Sequence, residues 1–229
     1  MAAYILEKSN IFRLISICLI GVIGYGEVVL SDTKMSGAAF DVHQLKLKDG
    51  SEISAAYFDG DEKQVVVAVP GGLATKKDYY FLAKRLQKNK VASILLDDRN
   101  ENAIVGAIDF SIQKGFEKIV LVGGSIGAGT ILTTIKYTLT ETQKVFIKKV
   151  ILIGPYSGSA LKTNSIKKLF IAAKNDSISL LAGIQELYKD TSGPKILKLY
   201  EGSWHAEQLF DSIHKEDIAD TIINFIQMN

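Results

Sequence analysis

The sequence predicts an α/β protein built on a mostly parallel central sheet of about eight strands, with helices on both faces. Three observations predict it. Short, continuously apolar runs recur along the chain, the pattern of strands buried on both faces. Amphipathic helical patterns alternate with those runs, as they do where crossover helices join parallel strands. An alternating pair of segments around Asp49-Gly50 adds an antiparallel hairpin at the start.

The chain opens on a segment unlike the rest. Lys8 and Arg13 precede an apolar run over residues 14–23, and Gly24 and Gly26 stand at the −3 and −1 positions of a cleavage site. Residues 1–26 therefore read as a secretory signal peptide, giving a secreted or periplasmic protein. Left uncleaved, the segment reads as an N-terminal membrane anchor. Residues 27–41 read as an extension and 42–229 as one domain.

Within that domain Leu45, Leu47, Ile53, Ala55 and Tyr57 alternate around Asp49-Gly50 as a two-stranded hairpin. Residues 64–69 form the first fully apolar run, ending at Pro70-Gly71-Gly72. Tyr79, Leu82, Ala83 and Leu86 supply the apolar face of a helix over 77–88. Residues 91–96 are the next buried strand. It closes in Asp97-Asp98-Arg99, with Arg99 expected to pair with a nearby carboxylate. Ile104, Ile108 and Ile112 stripe a second helix, which Gly115 stops. Residues 119–122 read as a strand running into a helix that opens near Gly127 and reaches about Thr140. Further strands follow over 150–153, 169–173 and 195–200. Leu181, Ile184, Leu187 and Tyr188 mark the helix before the last strand, and Ile218, Ile222 and Phe225 mark the final one.

Composition narrows the function. At 229 residues, with 47% apolar and 23% charged side chains, the chain suits one sizeable domain and not a disordered segment. Its net charge of +2 and lack of basic-aromatic interleaving argue against nucleic acid as a partner. Losing residues 1–26 would leave 25 basic residues against 24 acidic. The single cysteine, Cys18, excludes an intramolecular disulfide and a cysteine-based metal site. His43, His205 and His214 are far apart in sequence and lack metal-ligand spacing, so no metal and no cofactor are implied.

The chain is organised around Gly123-Gly124-Ser125-Ile126-Gly127, a G-x-S-x-G match placed between a strand and a helix. So abrupt a turn holds its central residue in a strained backbone conformation, which the small neighbours Gly123 and Gly127 tolerate. Ser125 Oγ would stand clear of the sheet beside the electropositive helix N-terminus. The glycines do not satisfy the spacing of a dinucleotide or P-loop phosphate motif.

This segment resembles the nucleophile elbow of the α/β-hydrolase family, and the resemblance extends over about residues 42–228. It is similar to the compact members related to dienelactone hydrolase, because the short connection over 156–167 leaves no room for a helical lid. Dienelactone hydrolase uses cysteine, so the serine here points to its esterase-like relatives. The resemblance implies an acid and then a histidine, each just past a later strand. Asp176 follows residues 169–173 and His205 follows 195–200, so Ser125, Asp176 and His205 are the candidate catalytic residues. Asp176 also reads as an N-cap and His205 as a solvated loop residue. Asp97 and Asp98 are rival acids, placed lower because they precede Ser125. His214 falls in the C-terminal amphipathic segment and His43 before the first strand.

The resemblance also implies two backbone donors for an oxyanion: Ile126, and Gly72 of the loop 70–73, with Leu73 next. The family's His-Gly pair is Pro70-Gly71 in this chain. Leu73, Tyr156, Trp204 and Tyr79 are candidates to line a pocket, with plain core as the alternative reading for the aromatic residues. The implied activity is that of a serine hydrolase cleaving a small-molecule carboxylic ester or thioester through an acyl-enzyme. The alternatives are a non-catalytic binding protein on the same scaffold, and a peptidase or amidase. A membrane enters only through the N-terminal segment.

Overall fold

The computed structural model describes residues 31–33, 40–47, 49–60 and 63–228. The expected signal segment lies outside them. The described residues form one nine-stranded sheet: β1 (Ser31–Thr33), β2 (Asp41–Lys46), β3 (Glu52–Phe58), β4 (Gln64–Val69), β5 (Ala92–Leu96), β6 (Lys118–Gly124), β7 (Ile147–Ile153), β8 (Lys167–Ala173) and β9 (Lys195–Tyr200). Their spatial order is β1-β2-β3-β5-β4-β6-β7-β8-β9. The first three strands are antiparallel to their neighbours, and β5 through β9 run parallel. The ninth strand is β1, which pairs with β2 and draws part of the expected 27–41 extension onto the sheet edge. His43 lies within β2, not before it, with its ring edge-on to Tyr57 at 5.4 Å.

Among the described residues there are six α-helices: α1 (Tyr80–Lys88), α2 (Glu101–Gln113), α3 (Ser125–Thr133), α4 (Glu141–Lys144), α5 (Leu181–Asp190) and α6 (Lys215–Gln227). They divide by face. Ala103, Ile104 and Ile108 of α2, Ala128 and Ile131 of α3, and Ile184 of α5 pack with Val65, Val67 and Val69 of β4. Leu82 and Leu86 of α1 and Ile218, Ile222 and Phe225 of α6 pack with Val66 and Ala68. Each face of β4 thus meets a core, which is why its sequence is apolar throughout instead of alternating. A fully buried side chain of this kind contributes about 1.5–3 kcal/mol relative to exposure.

The helix after the elbow departs from expectation. It starts at Ser125, not near Gly127, and stops at Thr133. A π-turn, Thr134–Thr138, follows, and then a separate short helix, α4. The threonines explain the break. Thr130, Thr133 and Thr134 each donate a hydroxyl hydrogen bond to the carbonyl four residues earlier, which competes with the helical ladder. Thr140 then caps α4 by accepting the Gln143 N–H, while the Gln143 side chain accepts the Thr140 N–H. Arg99 also departs from expectation, donating to the Ala74 carbonyl at 3.3 Å. Because the strands from β4 to β9 run parallel, the loops leaving their carboxyl ends share one edge of the sheet, where ligands bind in such folds.

Candidate active site

The site assembles at that edge from the loops after β4, β6, β8 and β9. Ser125 has φ +50°, a left-handed conformation that non-glycine residues rarely adopt and that the strand-to-helix turn imposes. Close packing requires the flanking glycine: a Cβ on Gly127 would stand 2.4 Å from the Pro70 carbonyl oxygen and 2.6 Å from that of Val69. The elbow and the loop after β4 therefore touch backbone to backbone. Gly127→Ala is expected to lower stability by about 1–3 kcal/mol through this overlap. Turnover should fall with it as the loop shifts. An unchanged melting temperature and kcat would show that the loop yields freely.

His205 joins the other two candidates. Its Nε2 lies 2.7 Å from Ser125 Oγ and its Nδ1 lies 2.8 Å from Asp176 Oδ2. An ionised Asp176 only accepts, so this bond selects the Nδ1–H tautomer and leaves Nε2 to take the serine proton. Asp176 is 3% exposed. Its second oxygen accepts the Ile178 and Ser179 amides at 2.8 and 3.0 Å, an Asx-type turn that holds the carboxylate in place. Asp176 is not the N-cap of α5; Leu180 is.

Asp97 and His214 are engaged elsewhere. Asp97 pairs with Lys76 Nζ at 2.6 Å and accepts the Lys76 amide. His214 Nε2 lies 3.1 Å from the Glu201 carbonyl oxygen. Among the described residues no three His, Cys, Asp or Glu side chains gather as they would around a metal ion.

In the loop after β4, Gly71 donates its amide to Glu207 Oε1 at 2.7 Å. Gly72 is the next residue of the loop. A Cβ on it would stand 3.6 Å from Ile126 Cδ1, so the Gly72 and Ile126 positions adjoin. Ile126 is in the first turn of α3, where amides lack intrahelical acceptors and the helix dipole is positive.

Leu73, Tyr156, Ile178 and Leu180 stand exposed on the loops around this line of residues. Between two of these loops lies a cleft of about 460 Å³, with Tyr156, Ile178, Leu180, Ile184 and Leu187 in its walls. Its walls adjoin the site: Tyr156 N–H bonds the Ser125 carbonyl at 3.4 Å, and Ile178 and Ser179 hold Asp176. Trp204 packs edge-on to His214 at 5.9 Å and against the core below α6. Tyr79 is fully buried beneath the site, its hydroxyl 3.0 Å from Glu207 Oε1, and is no pocket residue. Sequence reasoning passed over Glu207. The available signal was an acidic residue two positions past the candidate histidine, beside the apolar Leu209-Phe210.

The strand order, the strained serine after β6 and the residues that meet it define an α/β-hydrolase. More narrowly, the model of the steryl acetyl hydrolase family matches residues 77–196, slightly more than half of the chain. The chain belongs to that family of ester hydrolases. No curated protein sequence matches it. Among solved structures it is similar to an esterase from Exiguobacterium antarcticum (TM-score 0.64, 13% identity, 81% of this chain and 99% of that one). It is also similar to a hydrolase, described as putative, from Agrobacterium vitis S4 (0.68, 13%, 82% and 99%) and to dienelactone hydrolase from Anabaena variabilis (0.65, 14%, 85% and 96%). At such identities these likenesses concern the fold alone.

Proposed function

We propose that this protein hydrolyses carboxylic esters of short acids with apolar alcohols, through an acyl-enzyme on Ser125. The observation that carries the reading is the continuous hydrogen-bonded line from Ser125 Oγ through His205 to Asp176. In the first half-reaction Ser125 Oγ attacks the ester carbonyl carbon as its proton passes to His205 Nε2. The carbonyl oxygen takes up the displaced electron pair, and the Gly72 and Ile126 amides would hold it. Each such donor is worth about 3 kcal/mol in transition-state stabilisation. Collapse expels the alkoxide, which leaves as the alcohol with the proton from His205. A water, deprotonated by His205, then attacks the acyl carbon, and the acid departs as Ser125 recovers its proton. Asp176 keeps the imidazole oriented and balances its transient charge.

The exposed apolar side chains around Ser125 and the adjoining cleft suit an apolar substrate portion. The family's name, steryl acetyl hydrolase, points the same way: a short acyl group on an apolar alcohol. The test is labelling with a fluorophosphonate probe, followed by peptide mass spectrometry. The adduct is expected on Ser125. p-Nitrophenyl acetate should be cleaved with higher kcat/KM than the decanoate. A folded protein that takes no label, or carries it on another residue, would falsify the assignment.

A further inference from the structure

The turn after β9 sends a second side chain toward the elbow. Ala206 has φ +46°, and this reversal turns Glu207 back beneath Ser125, where it is 7% exposed. Glu207 Oε1 accepts two hydrogen bonds, from the Gly71 amide at 2.7 Å and from the Tyr79 hydroxyl at 3.0 Å. The carboxylate also fills the space over Gly124, where a Cβ would come within 2.1 Å of Oε1. A side chain at the position before the nucleophile would therefore displace the Glu207 carboxylate. A Cβ on Gly71 would meet Glu207 Oε2 at 2.9 Å and Ser125 Cβ at 3.0 Å. One carboxylate thus touches the loop after β4, the residue preceding the nucleophile, and the 3-10 turn Lys76–Tyr79 that continues the loop.

A carboxyl group is a costly way to fill this space. Burial pushes the Glu207 carboxyl above the ordinary glutamate range, and its hydrogen bonds from Gly71 and Tyr79 only partly oppose that. An apolar side chain of similar volume would pack without the penalty. What it could not do is accept the Gly71 amide. The loop at Gly71-Gly72 carries no side chains that could pin it, so a hydrogen bond to its backbone is the means left to hold it.

We propose that Glu207 is the positioning residue of the oxyanion site. Its carboxylate clamps the Gly71 amide and so presets the neighbouring Gly72 N–H across from that of Ile126. This rests on the reading of Ser125 as nucleophile. The Gly72 donor acts on charge that develops only in the transition state, so loosening it lowers kcat and leaves KM nearly unchanged.

The test is steady-state hydrolysis of p-nitrophenyl acetate by the full chain and three variants, with folding followed by circular dichroism. Glu207→Ala is expected to lower kcat about 100-fold, in the range of losing one oxyanion donor, with KM within about threefold. Glu207→Gln keeps the accepting oxygen and should recover kcat to within about tenfold of wild type. Tyr79→Phe removes the second bond, together with the longer contact of that hydroxyl with the Val69 carbonyl (3.3 Å), and should retain kcat within about threefold. If Glu207→Ala does not fold, Glu207→Asp takes its place. It keeps the charge but withdraws the oxygens by one methylene, and the same loss is expected. The proposal is overturned if the Ala variant, or the Asp variant standing for it, keeps wild-type kcat. It is equally overturned if Gln is no better than that variant, or if Tyr79→Phe loses as much. A wild-type protein that does not cleave the ester sinks the serine-hydrolase reading itself. An active wild type with an indifferent Glu207 sinks only the clamp.

Discussion

Ser125→Ala is expected to reduce kcat for ester hydrolysis by about 10⁵-fold or more, the scale seen when a serine hydrolase loses its nucleophile. Removing Oγ takes away the Ser125 partner of His205 Nε2, while the His205–Asp176 bond does not involve it. Alanine tolerates the φ of +50° about as well as serine, so the elbow should keep its shape. The melting temperature should stay within about 3 °C of wild type, less than about 1 kcal/mol at this chain size. Steady-state kinetics beside a melting curve decides it. A folded variant with more than about one hundredth of the wild-type kcat would remove Ser125 from the chemistry.

Asp176→Asn should come second in size, lowering kcat about 10⁴-fold. The two carboxylate oxygens have different partners, and the substitution separates their roles. The asparagine oxygen can still accept the Ile178 and Ser179 amides, so the turn after β8 should persist. The amide nitrogen then faces His205 Nδ1 as a donor. That forces the opposite tautomer, with Nε2–H pointing at Ser125 and unable to take its proton. Asp176→Ala would also leave two amides without acceptors and should cost about 1–3 kcal/mol of stability. As a control, Asp98→Asn should keep kcat within about threefold, since no step is assigned to it. An Asp176→Asn variant within tenfold of wild type would end the case for Asp176 as the orienting acid.

Much of this architecture was legible in the residue pattern. The run Gln64–Val69 is apolar at every position because both of its faces meet a core, and such a run has few other readings. Ser125, Asp176 and His205 could be singled out because each follows a strand end, and parallel strands bring those ends to one edge. Local rules were less reliable where the signal was a competition between weak terms. The threonine run from Thr130 to Thr138 has an apolar helical stripe, yet its hydroxyls draw on the same carbonyls that the helix uses. The edge strand Ser31–Thr33 is too short to announce itself.

By itself, then, the sequence determined the class of fold, the turn that strains Ser125, and the order in which its candidate partners arrive. Those depend on hydrophobic periodicity and on glycine, which act over a few residues. Only the tertiary structure decided which atoms meet. It turned the Gly71 amide to Glu207 and put Tyr79 under the site instead of in a pocket. It also engaged Asp97 with Lys76, and set against Gly124 a carboxylate 83 positions away. The physical reason is that hydrogen bonds and steric overlap act at about 3 Å between segments whose sequence separation says nothing about their distance.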